Sequence, residues 1–309
     1  MLRIDGEEVP EKTLVDSVTN KTLFDFPVQC VFRTSDIQQA FLHSHHGYEW
    51  YLCLSGNGRF IVGENMLHVG AGTLIVVNPL VLHMPRSDAG KPFHRYILSV
   101  GQNYMDHVLR NAIDPGAAKA VARWLPTAGL DYACWQLNAR QLLRVQDILT
   151  RLGGESASGR ERCTLTVYSL VLQFFAGLGR REAGPAVAVH NGKTRKRLAE
   201  EIMGYVAEHY TESFGVEDLC RRFHLSRSYL HRIFKRETGI SVNEYVIAYR
   251  VNKAKGLLES GTLRLTEVAM ASGFRDLSHF FHMFKRLTGV TPGRYRIGGA
   301  TLNGDDERI

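Results

Sequence analysis

The side chains best equipped for chemistry in the first part of the chain are His43, His45, Glu49 and His83. The first three stand in the spacing H-x-H-x-x-x-E within "HSHHGYEWYLCLSGNG", and His83 closes "NPLVLH" further on. Imidazole and carboxylate donors in this order suit a divalent metal such as zinc, iron, nickel or manganese. The same groups can instead hydrogen-bond a polar effector, or simply one another, and the pattern alone leaves all three readings open. On a strand, residues of one parity share a face, so His43, His45, Glu49, Tyr51 and Cys53 are expected to look inward together. Arg33 and His94 join Tyr51 as further candidates to line that face. Trp50 and Trp135 read as core.

A second set of equipped residues lies in "LSRSYLHRIFKRETGISVNEY", residues 225–245, and returns in altered form as "FRDLSHFFHMFKRLTGVTPGRY", residues 274–295. Aligned on FKRxTG, Phe234 falls on Phe284, Lys235 on Lys285, Arg236 on Arg286 and Gly239 on Gly289. In the first copy Leu230, Ile233 and Phe234 follow i, i+3, i+4 spacing and form the expected buried face. Arg227, Ser228, His231, Arg232 and Lys235 are then left for the solvent side. In the second copy Phe280, Met283 and Phe284 are the buried set, which turns Ser278, Phe281, His282, Lys285 and Arg286 outward. Basic, hydrogen-bonding side chains on one face of a short helix suit phosphates and base edges. The plainer reading is an αα-hairpin with a solvated basic face.

Elements must hold these groups in place. Up to about residue 100 the text is strand-like: "HGYEWYLCLSG", "GRFIVGE", "GTLIVVNP" and "FHRYILSV" are short, β-rich and punctuated by Gly, Asn and Pro, as in a small barrel or sandwich. From about 102 the period becomes helical. "LNARQLLRVQDILTRL" puts Leu142, Val145, Leu149 and Leu152 on one stripe, and "CTLTVYSLVLQFFAGL" is apolar enough to be largely buried. Residues 179–194 read as a linker, 195–297 as helical and 298–309 as a polar tail. Within the helical part, "VEDLCRRF", the turn "HLS" and "RSYLHRIFKR" form a helix-turn-helix pattern with Ser226 as N-cap. "LTEVAMASGF" and "LSHFFHMFKR" repeat it with one more residue in the turn. "NEYVIAYRVNKAKGLLES" joins the copies as one helix roughly 25 Å long at 1.5 Å per residue. Such a rod spaces two heads by about one turn of a DNA duplex, roughly 34 Å.

Charge follows this division. Residues 1–192 hold 18 Lys+Arg against 17 Asp+Glu, residues 193–297 hold 19 against 11, and residues 298–309 hold 1 against 3. The excess sits with the repeated helices and favours a polyanionic partner there. The five cysteines, Cys30, Cys53, Cys134, Cys163 and Cys220, are far apart and form no CxxC, as expected of reduced packing thiols in a cytoplasmic protein. The start lacks the basic and apolar regions of a signal peptide, and no stretch reads as a membrane span.

The repeated text, above all the "GF…FF…FKR…G.TP..YR" ending, resembles the AraC/XylS family of transcription regulators over about 100 residues. That resemblance implies two helix-turn-helix units on double-stranded DNA, with Ser228, His231 and Arg232 reading bases in the first and Ser278, Phe281 and His282 at the matching positions. His282 stands where family members commonly carry arginine, which puts guanine reading by the second unit in doubt. Residues 25–100 resemble the cupin barrel, a double-stranded β-helix that such regulators often carry as sensor, although the second cupin motif lacks its usual glycine. There His43, His45, Glu49 and His83 would be the metal set. Helices at about 138–152 and 160–178 mediate dimerisation in the family; otherwise they only cover the barrel. The expectation is a multidomain α+β chain: a cupin-type sensing and dimerisation domain at 1–178, a linker at 179–194, a double helix-turn-helix domain at 195–297 and a tail. Its partners would be DNA, a small polar effector such as a sugar, a second copy of the chain and RNA polymerase. No catalytic residue or required cofactor is assigned. A metal-dependent cupin enzyme and a constitutive DNA-binding protein with a vestigial barrel are the alternatives.

Overall fold

The computed structural model describes residues 2–4, 7–9, 17–34, 42–87, 92–158, 163–179 and 198–296. The linker expected at 179–194 and the tail at 298–309 lie outside these, save for Gly179. The chain divides into two compact units. One is drawn from Ser17–Gln39 and His45–Arg195, the other from Met1–Asp16, Ala40–Ser44 and Lys196–Ile309.

The first unit is two antiparallel sheets with helices on one face. A five-stranded sheet runs in the order β10(Tyr132–Gln136), β7(Thr73–Val77), β4(Gly47–Ser55), β9(His94–Gly101), β3(Val28–Arg33). A three-stranded sheet runs β6(Asn65–Val69), β5(Gly58–Val62), β8(His83–Ser87). Of the barrel and the sandwich that the strand spacing left open, the described residues form two sheets with no closed barrel. Alternation along β4 sorts its side chains. Trp50 and Leu52 join the cluster that holds Val145, Leu149, Leu152, Val171, Phe174 and Phe175. Tyr51 and Cys53 join the opposite cluster, with Phe60, Val62, Ile75, Val77 and Phe93. That second cluster draws on both sheets, so it is the layer between them.

Helices α1(Ser17–Asp25), α2(Gln102–Arg110), α3(Pro115–Ala122), α4(Ala139–Ala157) and α5(Thr164–Leu178) belong to this unit. α4 starts at a capping box: the Gln141 amide donates to Asn138 Oδ1 at 2.9 Å and the Asn138 amide to Gln141 Oε1 at 3.1 Å. The expected stripe holds, with Val145, Leu149 and Leu152 buried and Leu142 packed partly against them. Trp50 receives Phe174 and Phe175 edge-on, at 6.1 and 5.7 Å between centroids. These helices therefore cover the outer face of the five-stranded sheet, and Trp50 and Trp135 are core.

The second unit carries a short ladder of β1(Leu2–Ile4) and β2(Glu7–Val9), then α6(Leu198–His209), α7(Val216–Phe223), α8(Arg227–Thr238), α9(Val242–Glu259), α10(Leu265–Ala271) and α11(Leu277–Thr288). α9 has 18 residues, which at 1.5 Å each gives a rod of about 27 Å. The two helix-turn-helix units repeat in atomic detail. Thr238 Oγ1 donates to the Phe234 carbonyl at 2.7 Å, and Thr288 Oγ1 to the Phe284 carbonyl at 2.8 Å. Gly239 and Gly289 then end α8 and α11 at φ +85° and +79°, each amide bonding the carbonyl of Lys235 or Lys285. Phe234 and Phe284 are fully buried beneath them.

Candidate functional site

The inner face of the five-stranded sheet is polar where a packed core should be apolar. Register places Glu49 opposite Ser99 and Val77, Tyr51 opposite Ile97 and Ile75, and Cys53 opposite Arg95. Glu49, Ser99, Arg95, His45 and His83 are all buried. His45 Nε2 stands 3.1 Å from Glu49 Oε2, and His83 Nε2 stands 3.5 Å from Glu49 Oε1. His83 Nδ1 faces the Val81 carbonyl at 2.9 Å and its ring stacks parallel to Phe60 at 6.0 Å. Burial works against the Glu49 charge, but His83 and the hydrogen bonds from both rings outweigh it and hold the carboxyl well below the usual carboxylate range.

Arg95 is 6% exposed; its Nη1 donates to the Phe93 carbonyl at 3.0 Å and its guanidinium lies 5.8 Å from the Phe93 ring. Burial lowers it from its usual value. The Tyr51 phenol is 1% exposed, and its hydroxyl has no hydrogen-bond partner among the described residues. Burial pushes it well above the ordinary phenol range, against the pull of Arg95. Tyr51 thus stands in the fields of Arg95 and Glu49 together.

The structure brings His45, Glu49, Tyr51 and His83 onto this face. His43 is buried as well, and its ring nitrogen lies within 4.8 Å of those of His45 and His83, as the sequence pattern expected. Arg33 is exposed at the sheet edge, paired with Arg95 in register. His94 is half-buried against Phe32 on the other parity of β9. Arg95 and Ser99 were not singled out from the sequence. The period-2 pattern of "FHRYILSV" could have found them, had its odd positions been read against those of β4.

The donor chemistry of His43, His45 and His83, with Glu49 against two of the rings, fits a divalent metal, and the Val81 carbonyl, 2.9 Å from His83 Nδ1, holds the orientation of that ring. Glu49 also ties the two rings together without a metal, hydrogen-bonding His45 at 3.1 Å and pairing with His83 at 3.5 Å.

In the helical unit, Ser226 caps α8 by accepting from the Tyr229 amide at 3.3 Å, as its position in the sequence required. Asp276 does the same for α11 from the His279 amide at 2.5 Å. Ser228, Arg232, Lys235, Ser278, His282, Lys285 and Arg286 are exposed, and His231 is half-buried. Two expectations need correction. Phe281 is half-buried rather than exposed, because it lies edge-on against Phe280 at 5.6 Å. Ile233 is half-buried, leaving Leu230 and Phe234 as the seated residues of α8. Arg227 is exposed but reaches back to Glu217 on α7, at 3.0 Å.

Two helix-turn-helix units on one rod, in a chain that also carries a sheet unit with a polar inner face, define a ligand-binding DNA-binding protein. Residues 219–297 match the helix-turn-helix domain family, and residues 26–171 match the AraC-like ligand binding domain. Similar proteins include the HTH-type transcriptional activator RhaR of Cronobacter sakazakii, 23% identical over 267 residues that cover 85% of this chain and 88% of that protein. The Msm operon regulatory protein of Streptococcus mutans is 30% identical over 106 residues, covering 34% of this chain and 38% of that protein. Among solved structures, ToxT from Vibrio cholerae aligns over 87% of this chain and 97% of that one, at 15% identity and a TM-score of 0.34. The chain belongs to the AraC family of transcription regulators.

Proposed function

We propose that this regulator senses a small polar effector, such as a sugar, on the inner sheet face, and that binding shifts the population of states able to engage DNA. The observation that carries the reading is the Tyr51 hydroxyl, buried beside Glu49 and Arg95 without a hydrogen-bond partner among the described residues. An unsatisfied buried hydroxyl costs about 1–3 kcal/mol, which a ligand hydroxyl or carbonyl would recover. The neighbouring Phe60 and Phe93 rings supply an apolar wall against which a polar ring can lie. Bases are read by Ser228, His231 and Arg232 in the first head, and phosphates are held by Lys235, Lys285 and Arg286.

The finer assignments follow the same reading. The domain limits are those of the sequence: sensing and dimerisation to 178, linker to 194, DNA binding to 297. The protein acts in the cytoplasm as a homodimer and engages RNA polymerase; among the described residues no helix is long and apolar enough to cross a membrane. Leu143, Leu165 and Leu172 stand exposed on α4 and α5 and are the side chains a second copy would cover. It is not an enzyme.

The test is thermal denaturation of the full chain with a panel of monosaccharides and polyols. A rise in melting temperature with one of them, reduced in Tyr51→Phe, is expected. No response to any of them in the wild type, together with near-stoichiometric metal in protein purified without chelator that disappears in His45→Ala, would replace the effector reading by a metal site.

A further inference from the structure

The recognition helix of the first head carries three arginines, and the structure treats them differently. Arg227 is bound to Glu217 at 3.0 Å, and Arg236 is bound to Glu237 through two nitrogens at 3.2 and 3.1 Å. Arg232 has no carboxylate and no hydrogen bond among the described residues. Its guanidinium carbon lies instead 5.5 Å from the centroid of the Tyr229 ring, one turn earlier on the same helix. Tyr229 is itself 40% exposed, a large aromatic left at the surface.

We infer that Tyr229 is a positioning residue for Arg232, holding its guanidinium aimed for guanine readout; this rests on the assignment of Arg232 as a base reader. The physical argument is one of donors. A carboxylate partner occupies guanidinium N–H groups and neutralises the charge that phosphate and guanine attract. An aromatic face attracts the cation through the ring quadrupole and takes no N–H donor. Arg232 is therefore restrained while every donor of its planar fork stays available for a bidentate contact with guanine O6 and N7. Restraining a long, freely rotating side chain before binding reduces the ordering entropy lost at the interface.

Tyr229 also sits where such a role is sterically open. It is the third residue after the N-cap Ser226, in the first turn, the part of a recognition helix that approaches base edges. The second head lacks the device. Its matching residues are His279 and His282; the His279 ring packs against Phe274 at 5.7 Å, and no ring contact is made with His282 among the described residues. Positioning by an aromatic face is a property of the first head.

The experiment uses the full chain and a duplex selected by the wild type from a random-sequence pool. Affinities for that duplex and for its single-base variants are then measured by anisotropy. The proteins compared are wild type, Tyr229→Phe, Tyr229→Leu, Tyr229→Gln, Arg232→Ala and the double variant Tyr229→Leu/Arg232→Ala. Arg232→Ala identifies the base pair read by Arg232. Tyr229→Leu and Tyr229→Gln should each lower the preference at that same base pair about threefold, the scale of an exposed cation–π contact, and leave affinity for random duplex unchanged. Tyr229→Phe, which keeps the ring, should retain the wild-type preference. The double variant should be no worse than Arg232→Ala alone.

Unchanged preference in both Tyr229→Leu and Tyr229→Gln overturns the inference while leaving Arg232 as reader. So does a loss in the double variant that equals the sum of the singles, since Tyr229 would then be touching DNA itself. If Arg232→Ala leaves every base preference intact, the reading of Arg232 falls and the positioning role falls with it.

Discussion

The two DNA-reading heads share a scaffold and differ in what they present. Thr238 and Thr288, Gly239 and Gly289, Phe234 and Phe284 make matching contacts to within 0.1 Å in the threonine bonds. Outward, the first head shows Arg232 over Tyr229, whereas the second shows His282 beside a half-buried Phe281. A duplicated fold keeps its core because packing and capping tolerate little change, while a solvated face is free to diverge until a ligand constrains it. The heads also solve one backbone problem in two ways. The residue that ends the first helix of each unit is left-handed: His224 at φ +54° in the first, Gly273 at φ +89° in the second.

That node provides the largest expected effect. A Cβ at Gly273 would stand 1.9 Å from the Tyr210 carbonyl oxygen and 2.9 Å from Arg250 Nε. Arg250 Nε itself donates to that carbonyl at 2.8 Å. Gly273→Ala should therefore cost more than about 3 kcal/mol, beyond ordinary overpacking, and disable the second head. In the first head the same change runs the other way: His224→Gly should stabilise by about 1 kcal/mol by relieving a left-handed side chain. Chemical denaturation of the full chain measures both, and equal effects would erase the contrast.

Next in size is base reading. Arg232→Ala should cost about 1–3 kcal/mol at one base pair and relax preference there. His282→Ala should change preference far less, because a histidine cannot form the bidentate guanine contact. A reversed pair of results in binding to single-base variants would exchange the roles of the heads.

The shared scaffold predicts equality. Thr238→Val and Thr288→Val each remove a buried hydroxyl that donates to a carbonyl one turn back, and each should cost about 1 kcal/mol. A large difference between them in melting experiments would show that the repeat is only topological. Smallest is the phosphate contribution. Lys235→Ala and Lys285→Ala should each weaken specific and random duplex alike and reduce the salt slope by about one. A slope that one of them leaves unchanged would take that head off the backbone.

Much of this was legible in the sequence because it is local. Helix spans, the Ser226 cap and the Thr–Gly endings depend on residues within one turn of each other, and the repeat confirms each reading against its copy. The stripe on α4 and the inward parity of Glu49 and Tyr51 are local in the same sense, since side-chain direction follows from strand and helix periods alone.

Pairing between distant segments was decided only by the tertiary structure. Arg95 stands across from Cys53 because of the register in which β9 pairs with β4, a ladder that shifts at Cys53/Ser55. Arg227 stays exposed as its helix period requires, but that it meets Glu217, ten residues earlier, follows from the angle between two helices, which no periodicity encodes. A sequence prescribes which side of an element a residue takes; register and interhelical angle, summed over many weak contacts along the chain, decide what it meets there.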